Sequence, residues 1–275
     1  MRHPDTTKLK PLWKWEAYIV YELDSERILR IRYAGDKYQW YASEQKLLSY
    51  LHLQSKLFPQ MLEYDGIEDW WIYTRIRGVP VISIVSELTE KEKNVLTEEI
   101  CIALEILHWI KKDTLLFLWY EDNRSAKHGG LQWLREDIGN KLVSFPENVL
   151  KNIYSYLDSL EIYNHPQATM THGDVSLENI MVDPFTHKLS GIIDFSDGRI
   201  ADLALDFDNL WCLSKYIWPH LSKNMAIYGD IDLLKKRADF YSKRRYLFSY
   251  LYNFKHKSKE DILNAFQVNL GLESV

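Results

Sequence analysis

Short runs of apolar residues open the chain, and in one of them apolar and polar positions alternate with a period of two. Ala17-Tyr18-Ile19-Val20-Tyr21 and Arg27 to Tyr33 are rich in β-branched and aromatic residues and predict two strands. Glu22 to Glu26 joins them, with Asp24 and Ser25 as turn formers. In the second strand, alternation sends Ile28, Arg30 and Arg32 to one face and Leu29 and Ile31 to the other. Arginines on a half-buried strand need a partner or a ligand. The period then lengthens: Leu47, Leu48 and Leu51 recur at helical spacing and predict a helix over Trp40 to Leu53. Short strands follow at Gln60–Tyr64 and Trp70–Thr74, and Arg77-Gly78-Val79-Pro80 breaks regular structure.

Beyond that break the pattern is helical. Thr89 with Glu92 three positions on is a capping box. Ile100 to Ile110 carries apolar residues almost all round, which predicts a buried helix. Leu131–Val143 and Val149–Leu160 read as two more helices. Thr171–Phe195 reads as loop, short strand, turn and strand, and helical patterns return from Leu203. The expected organisation is α+β and two-lobed: a small β-rich lobe over residues 1–77 and a larger α-helical lobe over 78–275.

Composition narrows the function classes. Net charge is −5, with no basic surface pattern for nucleic acid. No stretch reaches the roughly 18 uncharged apolar residues that a membrane span needs, and the N-terminus has no apolar signal core. Cys101 and Cys212 have apolar neighbours and no metal spacing, so they read as free thiols. These features fit a cytoplasmic protein.

The chemistry is concentrated in THGDVSLENIMVDPFTHKLSGIIDF. Asp174 lies five positions before Asn179, the interval of kinase catalytic loops, and Asp194 ends the apolar run Gly191-Ile192-Ile193. Taken singly, His-Gly-Asp is a turn and Asp194 a strand-end turn former. Taken together they are what phosphoryl transfer requires. Asp174 is the candidate base that aims an acceptor hydroxyl and takes its proton. Asn179 and Asp194 are candidate Mg²⁺ ligands, one amide and one carboxylate oxygen. His172 is placed in the catalytic loop as its brace, and Gly173 lets the backbone turn.

Thr171 to Asp206 resembles the aminoglycoside phosphotransferase and choline kinase superfamily. Its motifs are His-Gly-Asp, four residues, then Asn, and later Ile-Asp-Phe or Ile-Asp-Trp. This chain has Ile193-Asp194-Phe195, then Asp202 and Asp206. The resemblance implies the protein-kinase-like fold, ATP or GTP as co-substrate, and Asp202 and Asp206 as loop stabilisers. Tyr73 to Pro80 is similar to the inter-lobe hinge of the 2″-aminoglycoside phosphotransferases, which implies purine contacts from the backbone of Thr74 and Ile76. Glu44 matches the small-lobe helix glutamate, and Arg30 stands where a lysine normally reaches the phosphates. An arginine can fork two phosphate oxygens, and an ion pair with Glu44 would fix it.

One feature departs from the family. No glycine precedes Gly35, so no glycine loop covers the phosphates. Neither the acidic turn Glu22–Glu26 nor Leu12-Trp13-Lys14-Trp15-Glu16 replaces it. The segment from Asp194 to Asp202 is too short to seat a peptide, which points to a small hydroxylated acceptor. From Ala201 to Val275 nine Asp and Glu face eleven Lys and Arg, so the expected acceptor region is not plainly acidic. Asp206, Asp208, Glu121 and Asp122 are candidates for a local acidic cluster, while Trp211, Tyr216 and Trp218 read as core. The two functions left are a small-molecule kinase acting on an aminoglycoside-like or other hydroxylated molecule, and a nucleotide-binding pseudokinase.

Overall fold

The computed structural model describes residues 6–14, 18–33, 41–111, 113–114, 147–161, 168–252 and 261. Five antiparallel strands form the first sheet, in the order β1-β2-β3-β5-β4: β1 Lys10–Lys14, β2 Tyr18–Glu22, β3 Arg27–Arg32, β4 Met61–Asp65 and β5 Trp70–Thr74. The alternation of β3 is realised. Leu29 packs with Trp70 and Ile72 on one face, while Ile28 and Arg30 face a cleft on the other. Strand β1 is a correction, because Pro11 hides it and a register shift between Pro11 and Trp13 breaks its period. Strand β1 precedes β2 and pairs with it antiparallel, so the predicted turn Glu22–Glu26 joins the second and third strands.

Helix α1, Tyr41–Gln54, lies between β3 and β4 and buries Leu47, Leu48 and Leu51. The connection after it docks on the second lobe, where the Leu57 carbonyl accepts the Ile192 N–H at 2.9 Å. Any side chain at Gly191 would meet that carbonyl, at 2.4 Å. The expected break at Arg77–Pro80 holds a two-residue strand, β6 Val79–Pro80. It pairs with β8 Ile180–Val182, which pairs with β9 Leu189–Ile192. A second small sheet joins β7 Ala168–Thr171 to β10 Arg199–Asp202. One apolar core runs from Leu47 and Trp71 through Leu104 to Ile192 and Leu213, so both lobes share it.

Helix α2, Glu90–His108, begins with both halves of the Thr89–Glu92 capping box in place. It is not buried all round. Leu96, Ile100, Leu104 and Leu107 face the core, whereas Ile102 and Trp109 are exposed. Helix α3, Glu147–Glu161, spans the predicted Val149–Leu160; Leu131–Val143 lies outside the described residues. After β10 the chain enters a 3₁₀ turn, Leu203–Phe207, rather than the α-helix its pattern suggests. Helices α4, Ser214–Leu221, and α5, Ile231–Tyr252, follow. No helix among the described residues is long and apolar enough to cross a membrane.

The two faces of α2 give a paired test. Leu104→Ala, at a position with no solvent exposure, is expected to lower stability by about 2–5 kcal/mol. Ile102→Ala, 53% exposed, is expected to change it by less than about 0.5 kcal/mol. Urea denaturation of both variants checks this.

Candidate active site

The loop His172–Asn179 connects β7 to β8, and Asp194 follows β9. The two segments are tied by backbone: Ile193 N–H donates to the Asn179 carbonyl at 2.9 Å. They are tied again through His172. Its Nδ1 accepts the Asp174 N–H at 3.3 Å, so the proton sits on Nε2, which donates to the Ile193 carbonyl at 2.9 Å. The ring also stacks on Phe195, with centroids 4.4 Å apart. His172 therefore braces the loop and has both nitrogens engaged.

Gly173 adopts φ +82°, and a Cβ there would lie 2.3 Å from the Asp197 carbonyl oxygen. Only glycine fits that turn. Asp206 fixes it from below. Its Oδ1 accepts from Gly173 N–H at 2.8 Å, and its Oδ2 from His172 N–H at 2.9 Å and His108 Nε2 at 2.9 Å. Burial opposes ionisation of this carboxyl. The His108 bond and the backbone donors outweigh burial and hold it below the usual carboxylate range. Asp206 is thus a structural carboxylate and no part of an acidic acceptor cluster; Glu121 and Asp122 lie outside the described residues. Asp202 accepts the Ala204 N–H at 3.0 Å and caps the 3₁₀ turn.

Asp174 and Asn179 are brought together. The Asn179 amide donates to the Asp174 carbonyl at 2.9 Å and to its Oδ2 at 3.1 Å. That fixes the amide orientation and leaves Oδ1 of Asn179 as its acceptor atom. Asp194 stands in the left-handed region, φ 64°, ψ 70°, a strained setting for a residue with a side chain. Its Oδ1 accepts from Ser196 Oγ at 2.7 Å and from Arg30 Nη1 at 2.9 Å. Burial raises its pKa, but Arg30 and Ser196 hold the carboxyl below its ordinary value.

Arg30 therefore pairs with Asp194 across the two lobes, and its guanidinium carbon lies 4.0 Å from the centre of the Tyr18 ring. Its buried Nε has no hydrogen-bond partner among the described residues. Glu44 is buried beside it, accepts from the Tyr73 hydroxyl at 3.2 Å, and helps keep Arg30 charged. These groups line a cleft of about 740 Å³, open at its mouth, with Trp13, Val20, Ile28, Leu48 and Met181 as apolar walls. Thr74 and Ile76 stand at its back. The Thr74 N–H is taken up by the Gln60 carbonyl at 2.9 Å. On the other side of Asp174, a second pocket of about 670 Å³ is lined by Ile82, Glu178, Asn209, Trp211 and Arg245. Trp211 is 70% exposed there, which corrects its reading as core; Trp218 packs on Phe207 as expected. Asp208, a candidate for the acidic cluster, is instead paired with Arg245, and nothing in the sequence marks Arg245 as a site residue, because the pairing spans 37 positions.

Residues 8–230 match the sequence profile of the phosphotransferase enzyme family. Among solved structures, the ADP-bound aminoglycoside phosphotransferase APH(2'')-Ib superposes with a TM-score of 0.71 at 16% identity, covering 97% of this chain and 93% of that one. The GDP complex of aminoglycoside 2'-phosphotransferase-IIIa gives 0.74 at 16% identity, covering 96% and 91%. The macrolide 2'-phosphotransferase MphH from Brachybacterium faecium, an apoenzyme, gives 0.65 at 14%, covering 97% and 93%. At these identities the likeness establishes the α+β, kinase-like fold.

Asp206→Asn keeps one acceptor oxygen where three donors converge. It is expected to cost about 3 kcal/mol, the usual result of breaking a buried charged network. The folded-state pKa of Asp206 is depressed, so its stabilisation is present above about pH 4 and is lost as pH falls through the folded value. Urea midpoints between pH 7 and pH 3 check both statements: the Asn variant is weaker at neutral pH and flatter in acid.

Proposed function

The chain belongs to the phosphotransferase enzyme family, and on that premise we propose that it transfers the γ-phosphoryl group of ATP or GTP, with Mg²⁺, to a hydroxyl of an aminoglycoside-like or other hydroxylated small molecule. The observation that carries this reading is a chain of contacts between three elements, with Arg30 and Asp194 lining the first cleft and Asp174 the second pocket. Asp174 and Asn179 lie in contact, Asp194 is tied to the same loop through Ile193, and Arg30 reaches Asp194 from the sheet.

The residues present suit the absent groups. Magnesium prefers hard oxygen ligands and keeps several waters, so a carboxylate, an amide oxygen and phosphates suffice. Oδ2 of Asp194 and Oδ1 of Asn179 would hold it; bound there, it neutralises phosphate charge. The Nε of Arg30, without a hydrogen-bond partner among the described residues, is a buried donor suited to a phosphate oxygen. Thr74 and Ile76 would meet the purine and Glu44 would steady Arg30.

The reaction then balances as follows. Asp174 orients the acceptor hydroxyl and takes its proton. The acceptor oxygen bonds to the γ-phosphorus, and the bond to the β,γ-bridging oxygen breaks. The nucleoside diphosphate leaves with that electron pair. His172 keeps the loop still and transfers no proton in this scheme. The missing glycine loop favours the second reading, a nucleotide-binding pseudokinase, but a scaffold has no chemical use for Asp174, Asn179 and Asp194 together.

Two variants separate these readings. Asp174→Ala is expected to lower kcat by about 10²–10⁴-fold with little change in nucleotide affinity; unchanged turnover would remove Asp174 from the base role. Asp194→Ala is expected to abolish the Mg²⁺-dependent part of nucleotide binding, and normal calorimetric binding would contradict its role as metal ligand.

A further inference from the structure

The pocket on the acceptor side of Asp174 has one cation among its described lining residues, Arg245 of α5. Its guanidinium forks. Nη1 donates to Asp174 Oδ1 at 2.6 Å, while Nη2 and Nε reach Asp208 Oδ1 and Oδ2 at 2.9 and 3.3 Å. The two ends are unequal. The Asp208 side chain is 3% exposed and takes two N–H groups; that of Asp174 is 34% exposed and takes one. A two-point bond to a buried carboxylate outlasts a one-point bond to a half-exposed one.

The other oxygen of Asp174 is held by Asn179. A hydroxyl that takes the place of Nη1 on Oδ1 gains Asp174 while the guanidinium stays anchored on Asp208. The released Nη1–H then faces the acceptor beside the reacting hydroxyl. A donor stripped of its partner in a partly desolvated pocket needs a new acceptor, and a second cation placed against it is repelled. The other charged lining group, Glu178, is exposed to solvent, where screening weakens it.

We propose that Arg245 determines acceptor specificity: the hydroxyl phosphorylated is one whose neighbouring carbon bears an oxygen able to accept Nη1–H, and a hydroxyl beside an ammonium is disfavoured. This rests on the small-molecule kinase reading and narrows it, since it selects sugar diols and hydroxy ethers over amino alcohols at the reacting position.

The test uses the full chain with Mg²⁺-ATP and Mg²⁺-GTP on a panel of sugars, polyols, aminoglycosides and macrolides, set out in pairs that place either an oxygen or an amine beside the target hydroxyl. Phosphorylated products are located by mass spectrometry, and kcat/KM is measured for each pair. The expected result is a preference of about tenfold or more for the oxygen-bearing member, collapsing in Arg245→Met and kept in part by Arg245→Lys. Thermal melts establish that each variant is folded. Asp208→Asn, which loosens the anchor and leaves Arg245 in place, is expected to lower the same ratio and serves if Arg245→Met does not fold. A preference for the amine member, or a ratio that no variant moves, overturns the proposal and leaves the kinase reading standing. No phosphorylated product from any pair overturns the kinase reading and the proposal with it.

Discussion

A single buried carboxylate sets the shape of the loop that carries Asp174. Asp206 has no solvent exposure and collects donors from His108, His172 and Gly173. Two of those donors are consecutive backbone N–H groups at a turn where φ is +82°, a conformation whose amides cannot join a regular ladder. Without an acceptor beneath them they would be buried and unpaired. With one, the turn is held from below, and Asp174 leaves it at a fixed angle. The same carboxylate reaches α2 through His108, so the loop is referenced to a core helix as well as to its own flanking strands. That is why a short segment without regular structure can keep a catalytic geometry.

On the proposed nucleotide side, Arg30 stands where the resemblance places a lysine. Arg30 replaces the lysine, and this changes more than size. A guanidinium keeps its charge under burial, and it can serve a carboxylate with one nitrogen and a phosphate with another. Here Nη1 serves Asp194 and Nε has no partner among the described residues. The Tyr18 ring lies against its plane, which fixes the fork before any ligand arrives. Glu44 braces this assembly through charge and through Tyr73. A pre-set arginine offers a physical answer to the lack of a glycine loop: phosphates gripped from beneath depend less on backbone N–H groups from above.

Short-range signals made much of this visible in the chain. Runs of β-branched, aromatic and apolar residues located β2, β3, β4 and β5, the Thr89–Glu92 box located the start of α2, and the Asp-to-Asn interval located the loop that carries Asp174. Failures came where the cause is tertiary. Strand β1 exists because β2 offers it an edge, although Pro11 weakens its own pattern. The all-round apolar run of α2 leaves Ile102 and Trp109 exposed because packing chose one face. Trp211 looked like core by helical spacing, yet it sits in a 3₁₀ turn that does not keep the α period. Arg245 could not be foreseen at all: nothing local distinguishes it from its neighbour Arg244, and its two partners lie 71 and 37 positions away.

The charged pairs around the site follow one logic. Arg30–Asp194 joins the first sheet to the turn after β9, Arg237–Asp202 joins α5 to β10, and Arg245 joins α5 to Asp174 and Asp208. Such pairs add little net stability, because desolvating both charges offsets most of their attraction. What they supply is register: a misplaced element leaves an ion buried alone, which is far costlier than a misplaced leucine. An apolar core such as the one shared here tolerates small slides between helices, and a reaction that needs atoms aligned to a fraction of an ångström does not. Directional charge at the cleft and undirected packing beneath it divide these two tasks. This division accounts for a site ringed by arginines in a chain whose net charge is negative.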